Sequence, residues 1–125
     1  MICADTSSLA RYLDGADGPD VDLLIDAVDA ARLVIAPTTV TELLSHVVAR
    51  PLLGPLLKDA VVLDLTPGFW ERAGLSRQAV RKLGLKAKLA DTLIAQACID
   101  ADIALIAHDP DFRHFETHCG LRLAR

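Results

Sequence analysis

Four short apolar runs punctuate the chain: Ile2-Cys3-Ala4, Leu33-Val34-Ile35-Ala36, Val61 to Leu65, and Ile103 to Ala107. The stretches between them carry apolar residues at helical spacing. This alternation constrains the fold most, because strands alternating with helices build an α/β layer structure around a mainly parallel sheet. After the first run, Ser7 or Ser8 can cap a helix through Leu13, and Gly15, Gly18 and Pro19 break it. Val21, Leu24, Ile25 and Val28 give Asp20 to Ala31 an apolar face. Pro37 suits a first helical position. The helix it opens is expected to reach Arg50, with Val40, Leu43, Leu44, Val47 and Val48 as its stripe and Pro51 as its stop.

Leu52 to Lys58 reads as a short helix. Thr66-Pro67 opens the next, and Gly84 closes it. Lys88 to Ala101 is the last, with Leu93, Ile94, Ala97, Cys98 and Ala101 on its buried face. Leu121-Arg122-Leu123 offers a fifth strand. The expectation is a single α/β domain over residues 1–125, with a sheet of about four to five strands flanked by helices.

In such a sheet, strand C-termini and helix N-termini share one edge, where ligands bind. Asp5 follows the first apolar run, and Asp109, with Asp111 behind it, follows the last. Glu42 and Asp91 fall in or near the first turns of predicted helices. Acids scattered over the chain can therefore converge in one cleft. At about 4 Å and an effective dielectric near 20, each like-charge pair costs roughly 4 kcal/mol. A divalent, oxygen-seeking ion offsets that, so Mg²⁺ or Mn²⁺ is the natural occupant.

Each acid also has a plainer reading. Asp5 is a helix-cap type, although Ser7 or Ser8 serves equally. Asp91 shares a helical side with Ile94 and Cys98, where an acid is costly unless paired or metal-bound, but it also favours the helix dipole. Glu42 lies with Thr38, Ser45 and Ala49 on a small polar face that suits a cleft or solvent. Asp109 and Asp111 flank Pro110, as turn chemistry allows.

Composition narrows the alternatives. At 52% hydrophobic, 125 residues can bury a core without disulfides or a structural metal. Cys3, Cys98 and Cys119 are odd in number and unpaired in spacing, which suits buried thiols in a reducing compartment. No basic leader or membrane-length apolar run is present, so a soluble, cytoplasmic protein is expected. The few aromatics, Tyr12, Phe69, Trp70, Phe112 and Phe115, argue against an extended base-stacking platform. Net charge is −4, but Arg72, Arg77, Arg81, Lys82, Lys86 and Lys88 crowd into residues 71–88 against Glu71 alone. That stretch is either a solvated helix face or a polyanion-facing side; it runs directly into Asp91, which favours the second.

His114 and His118 have the spacing of a zinc protease pair, but Glu116 stands at the wrong position and no long helix is predicted there. No glycine-rich phosphate loop or nucleophile elbow is present. A phosphoacceptor receiver domain is a rival, with Asp64 ending the third strand. It would require an acidic pair after the first strand and a lysine after the last, and neither is found.

As a set, the motifs resemble the PIN domain family, most closely its VapC-type toxin ribonucleases. The matching segments are Asp5-Thr6-Ser7-Ser8-Leu9, Val40-Thr41-Glu42-Leu43, Ala90-Asp91-Thr92-Leu93-Ile94-Ala95 and Leu105-Ile106-Ala107-His108-Asp109-Pro110-Asp111-Phe112. Ala107 stands where the family often has threonine. The resemblance implies a metal-dependent endoribonuclease held inactive by a cognate antitoxin, with a homodimer as the expected assembly. Asp5, Glu42, Asp91 and Asp109 would be catalytic and, with Asp111, would hold Mg²⁺ or Mn²⁺. Thr6 and Ser7 would support them, and Arg72, Arg77, Arg81, Lys82, Lys86 and Lys88 would hold RNA. A catalytically silent PIN-like binding module is the remaining alternative.

Overall fold

The computed structural model describes residues 1–125. In chain order its elements are β1 (Ile2–Ala4), α1 (Thr6–Leu13), α2 (Pro19–Asp29), β2 (Leu33–Ile35), α3 (Pro37–Leu44), α4 (Leu53–Asp59), β3 (Val61–Val62), α5 (Phe69–Lys82), α6 (Leu89–Ala101), β4 (Leu105–Ile106) and α7 (Phe112–Cys119). The strands form one all-parallel sheet in the order β3-β2-β1-β4.

Neighbouring strand residues point to opposite faces, and both faces here are dry. Cys3, Val34 and Leu105 pack with Phe69, Val80, Ile94 and Phe115 from α5, α6 and α7. Ala4, Leu33, Ile35 and Ile106 pack with Leu9, Leu24 and Leu43 from α1, α2 and α3. This is the expected α/β architecture, with α5, α6 and α7 on one face and α1, α2 and α3, joined by α4, on the other.

The chain departs from the sequence reading where side chains compete for backbone groups. α3 ends at Leu44 rather than at Arg50. Ser45 Oγ donates to the Thr41 carbonyl at 2.6 Å, and His46 Nδ1 accepts from the Val48 N–H at 3.3 Å. Such local bonds offer the backbone an alternative to helix. The expected apolar stripe therefore unravels: Leu44, Val47 and Val48 are exposed, Val47 at 97%. α5 starts at Phe69, behind Gly68 at φ +83°. Thr66 does not cap it, because its hydroxyl accepts from Arg72 Nη2 at 2.8 Å.

The expected fifth strand is reduced to one parallel bridge, Leu105 to Leu123. Around His114 and His118 the chain forms only a short helix, α7. No helix of the chain is long and apolar enough to cross a membrane.

Candidate active site

Strand order runs outward from β1 through β2 to β3, while β4 pairs on the other side of β1. The direction of the winding thus reverses between β1 and β4. Beyond the carboxyl ends of such a strand pair the connections diverge and leave a crevice. Asp5 follows β1 directly, and Asp109 follows β4 by three residues.

The crevice is a cleft of about 280 Å³ lined by Asp5, Thr6, Ser7, Ala10, Glu42, Lys88, Ala90, Asp91 and Asp109. Four acids from four segments share it, as do Thr6 and Ser7. Lys88 lies on it too, beside the acids rather than on an outlying surface. Ala10 and Ala90 are small and leave it open.

Asp5 does two jobs. It is the N-cap of α1, with Oδ1 accepting from Ser8 N at 2.8 Å, so neither Ser7 nor Ser8 caps. Its Oδ2 accepts from Ser7 Oγ at 2.8 Å. The residue is 2% exposed. Burial pushes its carboxyl above the ordinary range, against the Ser8 N–H, the Ser7 and Ser8 hydroxyls and the His108 N–H, which favour the anion.

Glu42 rises from α3 and accepts from Thr6 Oγ1 at 2.6 Å. Buried Thr39 stands 3.3 Å from that hydroxyl and completes the brace. Thr39 was not singled out from sequence, although its place three residues before Glu42 puts both on one helical face.

Asp91 sits in the first turn of α6. Its Oδ2 is buried and has no hydrogen-bond partner. Burial is the largest reason its carboxyl is pushed up to about 6; the negative charge of Asp109 adds to it, Lys88 opposes it, and Asp5 and Glu42 add smaller amounts.

Asp109 and Asp111 separate in role. Asp109 lines the cleft, and its Oδ1 accepts from the Asp111 N–H at 2.9 Å. Asp111 lies outside the cleft lining, 3.9 Å from Lys86 Nζ and 4.0 Å from His114 Nε2.

Behind Asp5 lies a network the sequence did not signal. Asp20, 7% exposed, takes Arg11 Nε at 3.1 Å and has His108 Nδ1 at 3.8 Å. Ser8 Oγ is buried without a partner in good hydrogen-bond geometry. Its hydroxyl nonetheless lies near enough to both Asp5 and Asp20 to favour their anions.

The basic residues divide. Arg72 is clamped away from the cleft on Asp100, with Nη2 to Oδ2 at 2.7 Å, and it also donates to the Pro67 carbonyl. Arg77 Nε donates to the Ala87 carbonyl at 2.9 Å. Arg77, Arg81 and Lys82 line a separate groove on α5.

The donors in the cleft are hard carboxylate oxygens, one of them buried and unpartnered, and this chemistry fits Mg²⁺ or Mn²⁺. Nowhere in the chain do three His, Cys, Asp or Glu side chains close around a common point as a preformed cage would. The arrangement suits an ion that keeps several waters and uses one or two carboxylates directly, as Mg²⁺ does.

The fold has counterparts among known proteins. The family model described as PIN domain matches residues 2–117. No curated protein matches the chain. Among solved structures, VapBC2 from Rickettsia felis bound to a promoter DNA fragment is similar at TM-score 0.76 and 18% identity, over 99% of this chain and 98% of that one. DNA-bound VapBC from Salmonella typhimurium is similar at TM-score 0.76 and 17% identity, again over 99% and 98%. FitAcB from Neisseria gonorrhoeae follows at TM-score 0.70 and 16% identity, over 100% and 97%. Identities this low speak for the fold.

Proposed function

Because the chain belongs to the PIN domain family, we propose that residues 1–125 form a metal-dependent endoribonuclease domain, the cytoplasmic toxin of a toxin–antitoxin pair. One observation carries this reading: acids from four chain segments share the switch-point cleft, and a buried Asp91 oxygen there lacks any partner. Such a group is costly unless something absent from the protein chain meets it. The similar folds of the VapBC and FitAcB structures support a toxin–antitoxin setting.

Asp5, Glu42, Asp91 and Asp109 would hold Mg²⁺ or Mn²⁺, directly or through water, with Asp111 outside this set. When bound, the ion supplies charge neutralisation at the phosphate and a more acidic water. The remaining work falls to the chain. The Ser7 hydroxyl and Ser8 N–H fix the Asp5 carboxylate, and the Thr6 hydroxyl aims Glu42 into the cleft. Lys88, on the cleft lip, draws the phosphate backbone towards the acids. The antitoxin would cover this cleft, and a homodimer remains the expected assembly.

The test is cleavage of single-stranded RNA with Mn²⁺ or Mg²⁺ present and after chelation, together with the melting temperature under both conditions. At a hundredfold excess over its dissociation constant the ion adds about 2.7 kcal/mol. Cleavage and thermal shift should both vanish in Asp5→Asn and Asp91→Asn. Equal thermal shifts in wild type and both variants would place the ion elsewhere. Inertness towards RNA with the metal response intact would favour the silent binding module.

A further inference from the structure

Trp70, the only tryptophan of the chain, is 63% exposed on the first turn of α5. It is not loose: the buried Phe69 ring meets it edge-to-face at 5.0 Å and 87°. Trp70, Gly74, Arg77 and Leu89 line a depression of about 250 Å³ between α5 and α6. Gly74, Arg77 and Leu89 also line an adjoining hollow of about 490 Å³ that carries Arg81 and Lys82. Through these shared residues the two make one groove, and no acid lines either part.

Two further observations give the groove a purpose. Gly74 lies inside a helix, where glycine is less stable than alanine, yet a Cβ there would meet nothing within 4 Å. Packing does not require glycine, and its bare backbone leaves the groove floor open. The groove also begins beside the acidic cleft: Leu89, which lines the groove, lies in the chain between Lys88 and Ala90, which line that cleft.

Resting on the nuclease reading above, we infer that this groove is a subsite for single-stranded RNA, in which a base stacks on Trp70 and Arg77, Arg81 and Lys82 take the adjoining phosphates. The chemistry is complementary on both counts. An exposed indole offers an apolar face to any base. Arg81 and Lys82 are free of ion pairs within the chain, so their charge is available to phosphates. One braced ring beside three cations makes a site for a single base, where the sequence suggested no stacking surface. The groove holds the strand beyond the cleavage point and accepts any base at that position.

Trp70 reports on its own site. A short single-stranded RNA oligonucleotide is titrated into the protein with divalent ions chelated, following tryptophan fluorescence and the anisotropy of labelled RNA. Saturable quenching should track binding. Trp70→Leu should weaken binding about 5- to 150-fold, equivalent to roughly 1–3 kcal/mol of stacking. Gly74→Leu, which enters open space and leaves the fold intact, should weaken it comparably. Arg81→Ala with Lys82→Ala should flatten the salt slope by about 1.4 in log units, from about 0.7 per phosphate contact. If RNA binds without quenching and tolerates Trp70→Leu and Gly74→Leu, the subsite is refuted, while metal-dependent cleavage by those variants leaves the nuclease reading standing. If wild type neither binds nor cleaves RNA, both fall. Quenching by polyglutamate but not RNA would assign the groove to an acidic protein partner. Quenching that grows with protein concentration alone would assign it to self-association.

Discussion

Asp5 is a cap and a cleft acid at once, and the two roles separate by substitution. Asparagine caps a helix about as well as aspartate. Asp5→Asn should therefore keep the fold and lose activity, whereas Asp5→Ala should be less stable than Asp5→Asn by about 1 kcal/mol; chemical denaturation of the two variants side by side measures the gap. Asp5, Asp91 and Asp109 were legible from sequence because each stands just past an apolar run or at the start of a helical one; Glu42, expected in or near a first turn, lies in the last turn of α3. What was not legible is their support. Thr39 acts through Thr6 and Asp20 through Ser8, contacts with residues distant in sequence, which no local pattern encodes.

Asp91 gives the metal-free protein a pH signature. Its folded-state value, about 6, lies above the ordinary 3.8, so the folded form holds the proton more tightly. Its contribution is fully present below about 3.8 and is lost as pH rises through 6. Between those values, in chelator, wild type should lose stability relative to Asp91→Asn, a trend read from paired thermal melts across pH. The facing groups Asp5, Glu42, Asp109 and Lys88 are common to both proteins. Parallel curves would show that Asp91 is not under the strain its surroundings imply.

At the scale of elements, α5 and α6 are joined by a polar clamp as well as by the core. Arg72 reaches Asp100 through Nε and Nη2, Gln96 Nε2 donates to Asp100 at 2.8 Å, and Ser76 donates to Gln96 at 2.6 Å. Arg72→Ala should destabilise the protein at neutral pH, modestly because Arg72 is partly exposed. The Arg72 hydrogen bond is the main reason the Asp100 carboxyl titrates below its usual range. The deficit should shrink as acid protonates Asp100, since that stability is present above about 4 and lost below it. Denaturation at neutral and acid pH checks the magnitude. An unchanged salt slope for RNA binding would distinguish this clamp from the basic groove.

The same helices show why element boundaries escaped the sequence. Thr66 looked like a cap, and Arg72 claims its hydroxyl. The α3 stripe looked buried to Val48, and Ser45 and His46 divert the backbone first. Apolar periodicity located the cores of the elements, while their ends were decided by side chains the periodicity ignores.

For the whole molecule, the pattern of runs revealed the layers but not the strand order, because nothing local says that β4 returns to the far side of β1. That return creates the cleft, and it also makes the two rims of the sheet unequal. At β4, the Leu105 N–H donates to the Arg122 carbonyl at 2.9 Å and the Ala124 N–H to the Leu105 carbonyl at 2.8 Å. At β3, Val61 and Val62 are exposed with nothing alongside. Ala124→Pro deletes one of the two bonds sealing the β4 rim and should raise light scattering on heating, with wild type as the baseline. Fibres lengthen only when each added unit presents a fresh rim to the next. A sheet sealed on one side cannot do that: two copies that meet through β3 exhaust their open rims, so growth by strand addition halts at the pair.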